Sequence, residues 1–262
     1  MDVKAIKTNF TELDSVIGGF FPGELTVIGS RPSIGKSAFL GTLINKITIE
    51  NGAKGLFFSL EMPAAQFKDR LVSSISCIPY SKIRNSEMDK DELKNYKTVL
   101  AEVSDLPIII EDGVDNINDI CDMARTKVKE NAIDIIYIDY LGLITINDNA
   151  APVYEKVTEI IIKLKKLAKE LQIPILITCQ VARSCDNLAP NLQQLRGSGA
   201  LEDVSDIVLF VHRENVEDSV ATLIVAKNHY GETAEFKLNF SREIVRFESP
   251  VIYYCSDTNS SK

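Results

Sequence analysis

The chain has 262 residues, 45% hydrophobic and 25% charged, which is ordinary globular composition and enough for one large domain or two small ones. It has no apolar run long enough to span a bilayer and no signal-peptide core, so we predict a cytoplasmic protein that does not bind membranes. The net charge of −8 argues against a surface coated with nucleic acid, although it allows a local basic track inside a ring or groove.

Cysteine and histidine usage narrows the class further. The five cysteines are scattered, odd in number and free of any Cys-x-x-Cys pair: Cys77, Cys121, Cys179, Cys185 and Cys255. This pattern favours free thiols in a reducing cytosol over a disulfide framework or a zinc site. Because His212 and His229 are the only histidines, the sequence also argues against a histidine-based metal site.

Apolar runs predict the strands in chain order. Six runs are continuously apolar: Leu25–Ser30, Gly55–Glu61, Leu106–Asp112, Ile133–Ile144, Ile173–Gln180 and Asp206–Arg213. Continuous apolarity is typical of strands buried on both faces of a parallel sheet. Residues 221–229 and 234–240 follow without a helix between them, joined by the turn "HYGE", and predict an antiparallel hairpin at one sheet edge.

The segments between these strands are predicted to be helical. The clearest helix is Val153–Leu171, whose apolar residues recur at spacings of three and four. Further helices are predicted over 35–50, after Gly-Lys-Ser, and over 115–130, which begins at an Asp/Asn cap region. The alternation of strands and helices indicates a doubly wound α/β fold, a mostly parallel central sheet flanked by helices.

The segment "VIGSRPSIGKSAFL", Val27–Leu40, places a strand, a tight loop, Gly-Lys-Ser and a helix start in succession. In a phosphate-binding loop, backbone N–H groups surround an anion, a lysine reaches the phosphates and a hydroxyl binds magnesium. The usual pattern is G-x-x-x-x-G-K-S/T, and Ser30 replaces its first glycine, which a small residue permits if its φ is negative. Gly35 lies where a Cβ would crowd a nucleotide. The predicted phosphate-binding residues are Ser30, Arg31, Pro32, Ser33, Ile34, Gly35, Lys36 and Ser37.

Three polar side chains end other apolar runs. Asp139 ends "IDIIYID" and is predicted to hold the magnesium shell beside this loop, the alternative being an Asp that caps a turn. Glu61 is a candidate base for an attacking water, or else a helix-start carboxylate before Pro63. Gln180 is a candidate γ-phosphate sensor, or else a polar strand terminus.

Taken together, these motifs resemble one family. The segments are "FTELDSVIGGFFPGELTVIGSRPSIGKSAF", "FFSLEM", "YIDYLGLI", "LKKLAKELQIPILITCQVAR", "LRGSGALEDVSDIVLF" and "IVAKNHYGE". In this order they resemble the C-terminal motor domain of DnaB-type replicative DNA helicases, from about Phe10 to Phe247. The resemblance implies a RecA-like P-loop NTPase fold over 10–250, with a lead-in over 1–9 and a disordered tail over 251–262. It also implies ATP and Mg²⁺ as cofactors and a homohexameric ring that translocates on single-stranded DNA.

The resemblance also implies residue roles. Lys36 and Ser37 would bind phosphate and magnesium, and in the family a small residue is typical at the position of Ser30. Glu61 would activate water, Asp139 would hold the magnesium shell, and Gln180 would sense the γ-phosphate. The segment 181–199 would face the central channel and contact DNA through Arg183, Arg196, Gly197 and Gly199.

Three departures from the family pattern affect these expectations. The family usually has Lys-x-Arg in the segment "AKNHYG" and supplies that arginine to the neighbouring subunit; here Lys227 is present and His229 replaces the arginine. We therefore expect slow turnover, or Lys227 carrying the role alone. Gly197 replaces a common acidic residue, so we expect weak, strongly salt-dependent DNA binding. The family's N-terminal collar, which helps to assemble the ring and to dock primase, is absent, so we expect a weak ring or a monomer.

Two other functions stay open at this point. An ATP-binding regulatory or assembly protein of the same fold is favoured by His229 and Gly197, whereas Lys36, Glu61, Asp139 and Gln180 favour the helicase motor. A recombination- or clock-type relative of RecA fits "SLEM" and "LRGSGA" less well. The partners expected of a motor are single-stranded DNA, further copies of the chain, and a primase or helicase loader.

Overall fold

The computed structural model describes residues 4–147, 152–181, 189–195 and 199–250. Within these residues nine strands form one sheet, in the order β3-β2-β4-β5-β1-β6-β7-β8-β9. The strands are β1 (Leu25–Ser30), β2 (Gly55–Ser59), β3 (Ile108–Glu111), β4 (Ile135–Asp139), β5 (Ile175–Gln180), β6 (Ile207–His212), β7 (Val220–Asn228), β8 (Ala234–Ser241) and β9 (Arg246–Glu248). The predicted tail 251–262 lies outside the described residues.

The sheet has a parallel part and an antiparallel part. The strands from β3 to β6 pair in parallel, so their carboxyl ends lie at one edge of the sheet. Strands β7, β8 and β9 continue the sheet in antiparallel pairing. The predicted mostly parallel sheet with an edge hairpin is confirmed, and β9, which the sequence did not suggest, adds one short strand beyond the hairpin.

The described helices flank the sheet between these strands. They are α1 (Thr11–Ile17), α2 (Lys36–Asn45), α3 (Ala64–Ser76), α4 (Tyr80–Asn85), α5 (Lys90–Ser104), α6 (Ile117–Asn131), α7 (Val153–Leu171) and α8 (Gly199–Val204). Helix α7 has the predicted bounds, and the Asn116 side chain caps α6 by accepting a hydrogen bond from the Asn118 N–H. None of the described helices is long and apolar enough to cross a membrane.

Two predicted elements end earlier than expected. The helix predicted over 35–50 is α-helical only to Asn45 and closes in a π-helical turn, Lys46–Glu50. The run Ile133–Ile144 divides into β4 and a short 3₁₀ turn, Leu141–Leu143. In both segments apolar residues beyond the end of the helix or strand still pack in the core. Apolarity alone therefore does not show where the regular backbone conformation ends.

The core consists of two apolar layers, one on each face of the sheet. In β1 the side chain of Ile28 packs in one layer, and those of Leu25 and Val27 pack in the other. Neighbouring residues in a strand point to opposite faces, so a strand buried on both faces needs apolar residues at every position. The polar side chains of these strands are therefore concentrated at their ends, and the carboxyl ends position the site described next.

Candidate nucleotide-binding site

The carboxyl ends of four neighbouring strands bring the predicted site residues together. In the order β2, β4, β5 and β1, they lead to Glu61, Asp139, Gln180 and the loop after Ser30. Ser59 is paired with Asp139, and Ser30 is paired with Gln180. The Glu61 N–H donates to the Asp139 carbonyl oxygen at 3.2 Å, which fixes the bend that carries the Glu61 carboxylate. Ser30 and Gln180, 150 positions apart in sequence, thus share one sheet edge because the strands are parallel.

The conformation of Ser30 explains why the first glycine of the loop is dispensable. Ser30 is the last residue of β1 and is not among the described residues with positive φ. Its hydroxyl donates to the Arg31 carbonyl oxygen at 3.0 Å. Gly29, one position earlier, has a different requirement, since a Cβ there would lie 2.6 Å from the Phe210 ring. Gly29 is needed for close packing between β1 and β6, and Ser30 fits the loop without strain.

Gly35 is required by its own conformation and by a ring beneath the loop. Its φ is +109°, a left-handed conformation that residues with a Cβ rarely adopt. A Cβ would lie 3.1 Å from Cζ of Phe247, on strand β9. The predicted crowding against a nucleotide stays a prediction, and among the described residues the nearest obstacle to a Cβ at Gly35 is Phe247.

The Lys36 ammonium is the centre of the site. Lys36 Nζ lies 2.5 Å from Asp139 Oδ1 and 3.4 Å from Glu61 Oε2. It also donates to Thr178 Oγ1 at 3.2 Å, and the Thr178 hydroxyl in turn donates to Asp139. The Asp139 side chain is only 2% exposed, so its charge needs a cation close by, and Lys36 supplies it here.

The pocket above Lys36 is strongly basic. It has a volume of about 400 Å³. Among the described residues that line it, Glu61 is the one acidic residue, and the neutral amide of Gln180 lines it as well. Its basic lining residues are Arg31, Lys36, Arg70, Arg213 and Arg242. A chain of net charge −8 therefore places five basic side chains around this pocket, which suits a polyphosphate ligand.

Three of these arginines, Arg70, Arg213 and Arg242, were missed by the sequence analysis. Arg213 follows β6 and is buried; its guanidinium donates to the carbonyl oxygens of Ile34 at 2.9 Å and Ser33 at 3.1 Å, which holds the loop. Its position after an apolar strand is the signal that identified Asp139, so the same reasoning applied to "DIVLFVHR" predicts it. Arg70 lies in α3, and its buried Nε has no hydrogen-bond partner among the described residues. No sequence signal marks Arg70, because its proximity to the loop depends on how α3 packs.

Burial also decides the chemistry of the neighbouring thiol. Cys179 precedes Gln180 in β5 and is buried. Burial raises the pKa of the Cys179 thiol to about 12, so it stays protonated and unreactive at neutral pH. Cys179 is a free thiol, as the scattered cysteines of the sequence predicted.

The oxygen atoms at the site suit a magnesium ion that is bound together with phosphate. The available ligands are the carboxylates of Asp139 and Glu61 and the hydroxyl of Ser37, which lies 3.5 Å from Glu61 Oε2. In the described parts of the chain, no group of three or more His, Cys, Asp or Glu residues forms a metal cage. Magnesium commonly uses one or two carboxylates with substrate phosphates and water, so these residues fit it.

Lys227 and His229 lie at the end of the sheet opposite the carboxyl ends of the parallel strands. Strand β7 runs antiparallel to β6, so its C-terminal residues Lys227 and Asn228 pair with the first residues of β6, far from the carboxyl ends that carry Lys36. His229 is exposed, and its ring contacts Tyr230 edge to face with the centroids 4.8 Å apart. The two predicted catalytic residues therefore do not join the site of their own chain.

The predicted DNA contacts are only partly within the described chain. Arg183, Arg196 and Gly197 lie outside the described residues, whereas Gly199 is exposed and begins α8. Their roles stay predictions.

The fold and the site together define a RecA-like P-loop nucleotide-binding domain, with its loop between β1 and α2 at the carboxyl edge of a mostly parallel sheet. The model of the DnaB-like helicase C-terminal domain matches residues 5–249. The chain belongs to this family.

Individual relatives agree with this assignment. The replicative DNA helicase DnaB of Treponema pallidum (strain Nichols) is 38% identical over 248 residues, covering 94% of this chain and 56% of that protein. A solved ATPase domain is 27% identical with a TM-score of 0.88, covering 95% of this chain and 92% of that one. A solved DnaB-like replicative helicase, described with its interactions with primase, is 28% identical with a TM-score of 0.87, covering 95% of this chain and 64% of that one. The chain spans about half the length of the curated relatives it matches.

Proposed function

We propose that the chain binds Mg–ATP at residues 30–37 and hydrolyses it as the motor domain of a replicative DNA helicase. The observation that carries this proposal is the Lys36 ammonium, which joins the Asp139 and Glu61 carboxylates beneath a basic pocket. A cation held between two carboxylates at a phosphate-binding loop is suited to exchange one set of anions for another when a nucleotide enters.

The proposed roles follow from these positions. Lys36 turns from the carboxylates to the nucleotide phosphates, and the loop held by Arg213 supplies backbone N–H groups to the same phosphates. Ser37 and Asp139 would hold a magnesium ion, which when bound would neutralise charge on the phosphates. Arg70 lines the same pocket and adds a further positive charge.

Hydrolysis requires a base and a residue that responds to the loss of phosphate. The Glu61 side chain is 41% exposed, so its carboxylate is accessible to the attacking water and accepts its proton. Gln180 lines the same pocket from β5 and is directly followed by the segment proposed to face the channel. We therefore assign Glu61 the role of general base and Gln180 that of γ-phosphate sensor.

The assembled form is proposed to be a hexameric ring around single-stranded DNA. The end of β7 that carries Lys227 and His229 lies opposite the carboxyl ends of the parallel strands, so in a ring this hairpin would face the nucleotide of a neighbouring copy rather than that of its own chain. Segment 181–199, including Arg183, Arg196, Gly197 and Gly199, would line the channel. Primase or a loader would dock on the assembled ring, a proposal supported by the solved relative described with primase. We also propose that the protein is cytoplasmic, which is consistent with relatives named as replicative DNA helicases.

A second candidate function is favoured by His229. A neutral imidazole lacks the bidentate fork of arginine, whose contribution in related NTPases is roughly 10³–10⁵ in rate. A chain that binds ATP and assembles, but hydrolyses ATP slowly and does not unwind DNA, would be a regulatory or assembly protein.

ATPase assays with and without single-stranded DNA separate the two functions. The motor proposal predicts that DNA stimulates hydrolysis, that Lys36→Ala lowers Mg–ATP affinity about a hundredfold, and that Glu61→Gln keeps binding but lowers kcat about a hundredfold or more. Lys237→Ala, at an exposed lysine of β8, is the control and should change neither value. Absence of Mg–ATP binding in the unmodified protein refutes both functions, and nucleotide-dependent assembly without DNA stimulation supports the regulatory one.

A further inference from the structure

The ammonium of Lys227 is fully occupied by main-chain carbonyl groups. Lys227 Nζ donates to the carbonyl oxygen of Ser205 at 2.7 Å and to that of Asp203 at 3.4 Å, and it also donates to that of Glu202. These carbonyl groups belong to the last turn of α8 and the residue after it. An ammonium has three N–H donors, so each donor of Lys227 has an acceptor. Lys227 therefore acts as a C-terminal cap of α8, where the helix leaves carbonyl groups without partners.

Helix α8 depends on such a cap because it is short. It has six residues, Gly199–Val204, and directly follows residues 196–198 of the proposed channel segment. Isolated helices of this length are unstable in water and depend on contacts with the rest of the protein. Leu201 supplies one such contact by packing in the core, and α8 lies against α7. The carbonyl end of α8 is held by Lys227.

A second set of contacts connects the same region to the rest of the fold. The His229 N–H donates to the Asp206 carbonyl oxygen at 2.9 Å. The Asp206 carboxylate accepts from Lys165 Nζ of α7 at 2.6 Å and from the Leu25 N–H of β1 at 2.7 Å. Residues 202–206 thus form a junction between the β7–β8 hairpin, α7 and the first strand of the phosphate-binding unit.

We propose that Lys227 is a positioning residue, which couples the β7–β8 hairpin to α8 and so to the channel segment that α8 follows. A displacement of the hairpin, for example by a nucleotide on a neighbouring copy, moves residues 202–206 and with them the end of the DNA-facing loop. The functional meaning rests on the proposed motor function, whereas the coupling itself belongs to the single chain. In this arrangement Lys227 has no donor left for a neighbour's phosphate, so it does not substitute for the missing arginine.

Hydrogen exchange of the nucleotide-free protein tests the coupling without any activity measurement. We expect Lys227→Gln to speed amide exchange over 199–206 about tenfold or more, because charge-assisted hydrogen bonds to three carbonyl groups are lost. Lys237→Gln is the matched control, since Lys237 donates to Thr222 Oγ1 at 2.8 Å and does not contact α8. Equal exchange over 199–206 in the two variants overturns the proposal. If Lys227→Gln does not fold, the pair Lys227→Arg and Lys237→Arg is compared by the same criterion.

DNA dependence of hydrolysis distinguishes positioning from direct contact with phosphate. As a positioning residue, Lys227 sets the DNA-facing loop, so Lys227→Gln should raise the oligo-dT concentration for half-maximal ATPase stimulation about fivefold or more relative to Lys237→Gln. A lower kcat with an unchanged half-maximal concentration and unchanged exchange over 199–206 shows direct contact and overturns the proposal. If DNA does not stimulate the unmodified protein, the motor function fails, and the exchange experiment still decides the coupling.

Discussion

The two ends of the sheet hold their lysines in different ways. At the carboxyl end, Lys36 is bonded to the side chains of Asp139, Glu61 and Thr178, which are anionic or polar groups able to rearrange around a ligand. At the opposite end, Lys227 is bonded to main-chain carbonyl groups, and His229 is exposed. This contrast fits the proposal that one chain binds a nucleotide at one end of the sheet and faces another copy with the other end.

The largest expected effect comes from restoring an arginine at the hairpin end. We expect His229→Arg to raise kcat for ATP hydrolysis about a thousandfold, or about 4 kcal/mol, because a guanidinium in contact with a neighbour's nucleotide stabilises the developing charge. The increase should appear only at protein concentrations at which the chain assembles. Steady-state ATPase rates measured alongside sedimentation over a dilution series give both quantities.

His229→Gln is the control for this prediction, since a neutral amide offers no bidentate fork and should leave kcat near that of the unmodified protein. An unchanged rate for assembled His229→Arg would show that the hairpin does not act across an interface, and the contrast between the two ends would then be wrong.

A smaller effect is expected at the carboxyl end, from Arg213. Its guanidinium donates to two loop carbonyl groups and to those of Val216 and Asp218, at 2.7 and 2.9 Å. Burial lowers the pKa of Arg213, and these carbonyl groups offset the cost of burying its charge. Arg213→Lys keeps the charge but loses the fork, so we expect the free energy of unfolding to fall by about 2–3 kcal/mol, measured by urea denaturation.

Arg242→Lys is the matched control because Arg242 lines the same pocket but is half exposed, with an ion pair to Glu217. We expect it to change the free energy of unfolding by less than about 0.5 kcal/mol. Similar losses in both variants would indicate that Arg213 is no more important to the loop than a surface arginine.

The smallest effect is expected midway between the two ends. Tyr137 of β4 is fully buried, its hydroxyl has no hydrogen-bond partner among the described residues, and burial raises the pKa of its phenol well above the usual value. Tyr137→Phe removes an unsatisfied polar atom, so we expect the free energy of unfolding to stay constant or rise by about 1 kcal/mol. A loss of more than about 1 kcal/mol in urea denaturation would mean that the hydroxyl is satisfied in solution. Neither ATP affinity nor assembly should change.

Short-range patterns in the sequence determined the strands of the parallel sheet, the longest helix and the polar residues at the strand ends. The three-four spacing of apolar residues predicted α7 with its observed bounds, and continuous apolarity predicted the parallel strands. Asp139 and Gln180 were predicted because each ends an apolar run, and a strand buried on both faces can place polar side chains only where it leaves the core. These are properties of short segments, and the sequence expresses them directly.

Only the tertiary structure decided which of these groups meet. The requirement for a small residue at Gly35 depends on Phe247, more than 200 residues away, and the partners of Lys227 depend on where α8 packs. Such contacts are set by strand order and by helix packing between distant segments, which leave no periodic trace in a single sequence. The sequence therefore determined the parts of the nucleotide site, and the packing of the sheet decided that Lys36 and Lys227 lie at opposite ends of it.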